Sequence, residues 1–209
     1  MKIEADFSLE GQYNGLVCGL DEVGRGPLAG PVVAACAVIP KEMRSLEFIV
    51  HIKDSKKVAP KKREMLYDAI TEHFPYAISI LSPEEIDEHN ILQASLLAMT
   101  KAHDEVVSSG ITLKHALVDG NKLPIMATPA SAIVKGDGKS KTIAAASIIA
   151  KVYRDRIMQG LAVEFPNYGW ERNAGYPTKQ HREALLKFGV TPHHRRSFAP
   201  VRRILESTQ

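Results

Sequence analysis

Cysteine is scarce in this 209-residue sequence: the two present, Cys18 and Cys36, both lie in apolar segments. So few thiols give no disulfide framework and no complete thiolate metal site. Both are expected to be buried and reduced, a reactive pair being the weaker alternative. Long apolar runs are missing as well. The longest, Val32 to Ile39, falls far below the roughly 20 residues that a membrane-spanning helix requires. The opening MKIEADFSLEGQ has no apolar core of the signal-peptide kind, so the expectation is a cytoplasmic protein without membrane association. There are no internal repeats and no low-complexity linker, which argues against fibrous and disordered classes. A hydrophobic fraction of 44% can fill one substantial core.

A large excess of either charge is also missing, the net charge being +3, but the charge is unevenly spread. From Arg172 to Arg203 there are eight Lys/Arg and one acid, Glu183, a local +7 that leaves the remainder of the chain at −4. A second run, KDSKKVAPKKR from Lys53 to Arg63, sets six basic residues against Asp54. Such asymmetry favours a polyanionic partner, phosphate first, over a surface that is merely soluble.

Val17 to Leu20 and Val32 to Ile39 read as strands flanking a glycine-rich turn. Pro60 to His73 reads as a helix with proline in its first turn, and Tyr76 to Leu81 as a third strand. Ser82-Pro83-Glu84-Glu85 is a helix start, with a capping serine and acids suited to the helix dipole. Leu92, Leu96, Met99, His103 and Val106 recur on one helical face between Asn90 and Ser108. HALVDG and SAIVKGDG read as two more strands, each ending on an Asp beside Gly. Ile143, Ala146, Ala150, Tyr153 and Ile157 form a further helical stripe, and a last helix covers Lys179 to Phe188. The order predicts an α/β protein, a mixed β-sheet flanked by helices, with a small helical C-terminal extension. The expected division is 1–165 for the sheet-bearing domain and 166–209 for a basic helical extension packed on it.

Two familiar patterns fail. GRGPLA, Gly24 to Ala29, resembles a dinucleotide-binding turn, but Pro31 and Val32-Val33 follow where the phosphate-binding helix would begin. KGDGKSKT, Lys135 to Thr142, contains the end of a nucleotide-triphosphate loop, but Ile133 stands where its first glycine is required.

The chemistry lies in four acids: Asp21 and Glu22 after the first strand, Asp119 in LVDG and Asp137 in KGDG. Each alone could be a turn residue. Strand ends in one sheet lie close together, however, and four carboxylates at one edge repel unless a cation neutralises them. The glycines after Asp21 are expected to curl the chain so that both Asp21 and Glu22 serve that edge. Oxygen ligands without Cys or paired His favour Mg²⁺ or Mn²⁺ over zinc. Clustered carboxylates with basic surroundings suit two-metal phosphodiester hydrolysis.

GLDEVGRGPLAGPVVAACAVI, DSKK, LVDGNKLP, KGDGKSKTIAAASIIAKVYRD, GYPT and HHRRSF occur in that order. Taken together, from about Val17 to Val201, they resemble the bacterial ribonuclease HII family, the type 2 ribonucleases H. The resemblance implies a ribonuclease-H-like fold and endonucleolytic cleavage of RNA in RNA–DNA hybrids. It also implies incision 5′ to a single ribonucleotide embedded in duplex DNA, leaving a 3′-hydroxyl and a 5′-phosphate, with Mg²⁺ or Mn²⁺ required. Carried over by motif, the catalytic metal-site acids fall on Asp21, Glu22, Asp119 and Asp137. The segment contacting the ribose 2′-hydroxyl falls on Gly24, Arg25 and Gly26, and the tyrosine that stacks on the sugar after the ribonucleotide falls on Tyr176. Lys56, His194, Arg195 and Arg196 are expected phosphate contacts because they lie in the two basic runs. Trp170 receives no site role. The expected partners are an RNA–DNA hybrid and ribonucleotide-containing duplex DNA, bound by a monomer. A non-catalytic nucleic-acid-binding module and a DNA-cutting nuclease of the same broad fold are the rival readings.

Overall fold

The computed structural model describes residues 4–207. Its sheet has five strands in the order β3-β2-β1-β4-β5: β1 Leu16–Val23, β2 Val32–Val38, β3 Tyr76–Leu81, β4 Leu113–Asp119 and β5 Ala130–Ile133. β2 runs antiparallel to both β1 and β3, whereas β4 pairs parallel to β1 and β5 parallel to β4. This is the α/β mixed sheet flanked by helices that the sequence predicts. β1, β4 and β5 therefore end at the same edge, and open α/β sheets place ligands outside the carboxyl ends of such strands.

The helices are α1 Pro60–His73, α2 Pro83–His89, α3 Ile91–Ser108, α4 Lys141–Glu164, α5 Trp170–Asn173, α6 Lys179–Phe188 and α7 Ala199–Ser207. Local chemistry sets their starts. Ser82 accepts the Glu85 N–H while Glu85 reaches back to the Ser82 N–H, a complete capping box, and Asn90, Ser140 and Thr178 cap α3, α4 and α6 with their side-chain oxygens.

Alternation along β1 divides the core. Cys18 and Leu20 face α3 with Val32, Ala34, Met99 and Ala102, and the opposite face of the sheet meets α4 and α1 through Val33, Ala35, Ile70, Ala145 and Ile148. Both cysteines are free and buried. α4 is buried on nearly every side from Thr142 to Ala150, a wider face than the stripe through Ile143, Ala146 and Ala150 predicts. Its alanines let it lie close to the sheet. At Gly19 the approach is closest: an added Cβ would stand 2.3 Å from the backbone of Thr142 and Ile143. Residues beyond 165 form a third cluster in which Tyr168, Trp170, Leu185 and Val201 meet Leu28, Ala29 and Met158. Thr208 and Gln209, the end of the expected extension, lie outside the described residues. Among the described residues no helix is long and apolar enough to cross a membrane.

Candidate active site

β1 does not end at Leu20. It stays paired with β2 through Asp21↔Ala35, Glu22↔Ala34 and Val23↔Val33, so the two acids are strand residues. The expectation that the chain curls directly after Asp21 is corrected: the bend comes three residues later at Gly24, whose φ of 99° favours glycine. Asp21 accordingly shares the α4-facing side of β1 with Val17 and Gly19, while Glu22 lies on the α3-facing side with Leu20. The parallel register Leu20↔Val118 sets Asp119 beside Asp21 at the strand ends. After β5, Lys135 takes a left-handed conformation and a short 3-10 turn, Gly136–Gly138, carries Asp137. The Gly136 N–H donates to Asp119 Oδ1 at 2.6 Å, tying the third acid to the loop that bears the fourth.

These elements meet at a cavity of about 390 Å³, lined by Asp21, Glu22, Asp119 and Asp137 together with Gly24, Arg25, Gly26, Lys56 and Tyr176. Nine of the twelve residues singled out in the sequence thus share one opening. Asp21 is only 6% exposed. Its carboxyl is pushed well above the ordinary range, first by burial and then by the charges of Glu22, Asp119 and Asp137, while a hydrogen bond from Ser147 opposes the rise. Burial also raises Glu22, against the pull of Arg25, whose Nη1 lies 3.3 Å from Glu22 Oε1. Asp137 is raised by burial and by Asp54 and Asp119.

Among the described residues no three acidic, His or Cys side chains form a ready-made metal cage. The carboxylates instead take protein donors, Asp21 Oδ1 from the Glu22 N–H at 2.7 Å and Asp119 from Gly136. The donor set still fits a hard divalent cation: carboxylate oxygens at one opening, on groups whose ionised forms need compensating positive charge.

The cavity holds residues that sequence reasoning missed. Ser147 and Lys151 stand one turn apart on α4 and both line it, as does Ser55 of DSKK. Ser55 Oγ and Ser147 Oγ are 2.9 Å apart, which joins the loop carrying Lys56 to the helix behind Asp21. The i, i+4 spacing of Ser147 and Lys151 within AAASIIAKVYRD was the available signal, masked by the apolar stripe of the same helix. Lys56 is itself exposed. Lys56→Ala is expected to weaken nucleic-acid binding several-fold and to lower the slope of log K against log salt by about 0.7–0.9, as measured by binding titrations across salt concentrations. An unchanged slope would remove Lys56 from the phosphate contacts.

Two expected phosphate contacts are corrected. His194 is 1% exposed and Arg195 0%, so neither offers surface to a phosphate. Arg196 is exposed, but it does not line the cavity, and its backbone N–H donates to Asp87. His194 belongs to a buried chain of hydrogen bonds. His181 Nδ1 donates to the Tyr176 carbonyl, so its Nε2 accepts from Trp170 Nε1 and His194 Nε2, both at 3.1 Å. His194 Nδ1 then accepts from the Thr191 N–H and hydroxyl. Each acceptor nitrogen faces donors, so an added proton has no partner. Burial lowers His181, and burial together with His181 and His193 lowers His194 to about 3. Because the folded pKa values lie below the unfolded one, the unfolded chain binds protons first. Stability is full above about pH 6.5 and falls as pH drops below it, by up to about 1.4 kcal/mol per pH unit per histidine. Thermal melts from pH 7.5 to 5 should show His194→Asn losing part of this pH dependence; an unchanged dependence would exclude His194 from it.

Comparison with known proteins places the chain among nucleases. The ribonuclease HII family model matches residues 18–201. A ribonuclease HII of Ruegeria sp. (strain TM1040) is 54% identical over 205 residues, covering 96% of this chain and 86% of that protein. One from Paramagnetospirillum magneticum is 50% identical over 196 residues, covering 94% and 96%. Among solved structures, the ribonuclease H2 from Pyrococcus horikoshii OT3 superposes with a TM-score of 0.72 at 29% identity, covering 92% of this chain and 98% of that one.

Proposed function

The chain belongs to the ribonuclease HII family, metal-dependent endonucleolytic hydrolases of RNA–DNA hybrids, and from that premise we propose that it incises 5′ to single ribonucleotides embedded in duplex DNA, leaving a 3′-hydroxyl and a 5′-phosphate. The observation carrying this reading is the shared cavity: the four carboxylates open into the same space as the Gly24-Arg25-Gly26 segment and Tyr176. Hydrolysis of the backbone alone would need only the acids. A site that must also find a ribose needs a close backbone surface against the 2′-hydroxyl.

In this reading Asp21, Glu22, Asp119 and Asp137 hold Mg²⁺ or Mn²⁺. When bound, such ions neutralise the carboxylates, lower the pKa of a water and stabilise the leaving oxygen. The chain's own residues do the rest. Gly26 has no Cβ, and one added there would come within 3.3 Å of the Tyr176 ring, so the segment presents bare backbone beside the aromatic face. The ribose is read by main-chain polar groups of this segment, and the sugar that follows it stacks on the adjoining Tyr176. Arg25 bridges the two tasks, because the guanidinium paired with Glu22 is half exposed and faces the cavity mouth. Lys56 and Lys151 add positive charge where the phosphates enter, and Lys151 is held by Asp155 at 2.6 Å. The cytoplasmic, monomeric state expected from the sequence is part of the same proposal.

The end groups test it. A duplex labelled on either side of one ribonucleotide should yield an upstream fragment that a polymerase extends and a downstream fragment that begins with the ribonucleotide and carries a 5′-phosphate. Cleavage on the 3′ side of the ribonucleotide, or a 2′,3′-cyclic phosphate, would overturn the assignment.

A further inference from the structure

Arg154 and Arg195 are both 0% exposed, and among the described residues neither forms an ion pair with a carboxylate. Buried charges normally need a counter-charge or a full set of hydrogen bonds, and here main-chain carbonyls supply them. Arg154 donates through Nε to the Pro31 carbonyl at 2.8 Å, through Nη1 to Ala174 at 2.9 Å and through Nη2 to Ala29 at 3.1 Å. Arg195 donates through Nε to Gly30 at 3.0 Å, through Nη1 to Arg25 at 3.0 Å, and through Nη2 to Gly24 at 2.5 Å and Pro31 at 3.2 Å. Pro31 therefore receives both guanidiniums. Backbone bonds run alongside, with Leu28 N–H donating to Gly175 and Arg195 N–H to Leu28.

The acceptors are not scattered. Gly24 and Arg25 form the segment assigned to the ribose, Ala174 lies two residues before Tyr176, and Ala29 to Pro31 joins the two groups. We propose that Arg154 and Arg195 are positioning residues that lock the Gly24-Arg25-Gly26 segment and Tyr176 into a single substrate-reading unit, so that ribose recognition and junction recognition are set by one rigid body. The proposal rests on the roles given above to Tyr176 and to that segment. Neither arginine touches substrate. Their planar forks point several donors at once in fixed directions, whereas a lysine ammonium gathers its three donors on one atom and does not span carbonyls at positions 29, 31 and 174. Burial lowers Arg154 to about 10 and Arg195 to about 9, which leaves both protonated at neutral pH.

The test is a double-variant cycle read on two substrates, a duplex with one embedded ribonucleotide and a continuous RNA–DNA hybrid. Wild type, Arg154→Lys, Tyr176→Ala and the double variant are compared by kcat/KM, and each is melted to confirm folding. Arg154→Lys should lower cleavage of the single-ribonucleotide duplex about tenfold and that of the hybrid by less than about threefold. The double variant should be no worse than Tyr176→Ala alone, because the arginine acts through the tyrosine. Equal losses on both substrates, or losses that multiply in the double variant, would reduce Arg154 to a general stabiliser and overturn the proposal. If Tyr176→Ala leaves the substrate ratio unchanged, the junction role of the tyrosine falls. The coupling is then judged by whether the double variant's rate loss multiplies. Should Arg154→Lys not fold, Arg154→Gln, which keeps a planar amide donor on the same side chain, takes its place in the cycle.

Discussion

Asp21→Asn is expected to cut cleavage by a factor on the order of 10³ while leaving the protein, in the absence of divalent metal, at least as stable as the wild type. The two effects share one cause. Asp21 is buried beside Glu22, Asp119 and Asp137, and its folded pKa lies well above that of the unfolded chain. The folded state therefore prefers the protonated carboxyl. Stability is greatest below the unfolded value near 4 and declines as pH rises through the folded pKa, so ionising the group burdens the metal-free fold. Asparagine keeps the shape and removes the charge. A divalent cation reverses the comparison: binding to the folded state stabilises by RT ln(1 + [L]/Kd), and the wild type should gain more from Mg²⁺ than the variant. Thermal melts with EDTA and with Mg²⁺, alongside cleavage assays, check both halves. A variant that cleaves normally, or one less stable than wild type in EDTA, would contradict the account of the site.

Gly19→Ala is expected to lower stability by about 3 kcal/mol, a fall in melting temperature of roughly 6–12 °C for a chain of this size. The added Cβ would meet main-chain atoms of Thr142 and Ile143 at 2.3 Å, and these cannot rotate away as a side-chain tip could. Relief requires α4 to move off the sheet, and α4 carries Ser147 and Lys151 at the cavity. Activity should therefore fall along with stability. Gly160→Ala, farther along the same helix with nothing within 4 Å of its added Cβ, should be neutral or stabilising by up to about 1 kcal/mol. If the two variants melted alike, the close approach of α4 would not be what seats the helix.

Where the sequence carried explicit punctuation, the elements were legible to the residue. Pro60 and Ser82-Pro83 mark helix starts through proline and capping chemistry, and α1, β3 and α6 fall where the sequence reading puts them. β1 shows the opposite case. Nothing local tells a strand to continue through Asp21-Glu22-Val23; its pairing with β2 holds those residues extended, and such pairing is a long-range property. The four acids were legible because few chemistries call for carboxylates at several strand ends. Ser147 and Lys151 were hidden by burial of α4 on nearly all sides, which no single stripe reveals. His194 and Arg195 were misread for a physical reason. A basic run is usually solvated, and residues as polar as Arg are seldom fully buried without a carboxylate. Here main-chain carbonyls from positions 24, 25, 30 and 31 serve instead, and main-chain acceptors leave no mark in a sequence.

The most direct measurement sets a labelled DNA duplex containing one ribonucleotide beside its all-DNA twin, each incubated with the protein in Mg²⁺, Mn²⁺ or EDTA. The account predicts one incision, 5′ to the ribose, in the presence of either metal, with no product in EDTA and none from the all-DNA twin. Cutting of both duplexes would show that the Gly24-Arg25-Gly26 segment does not select the 2′-hydroxyl. Cutting in EDTA would contradict the metal-site role of Asp21, Glu22, Asp119 and Asp137.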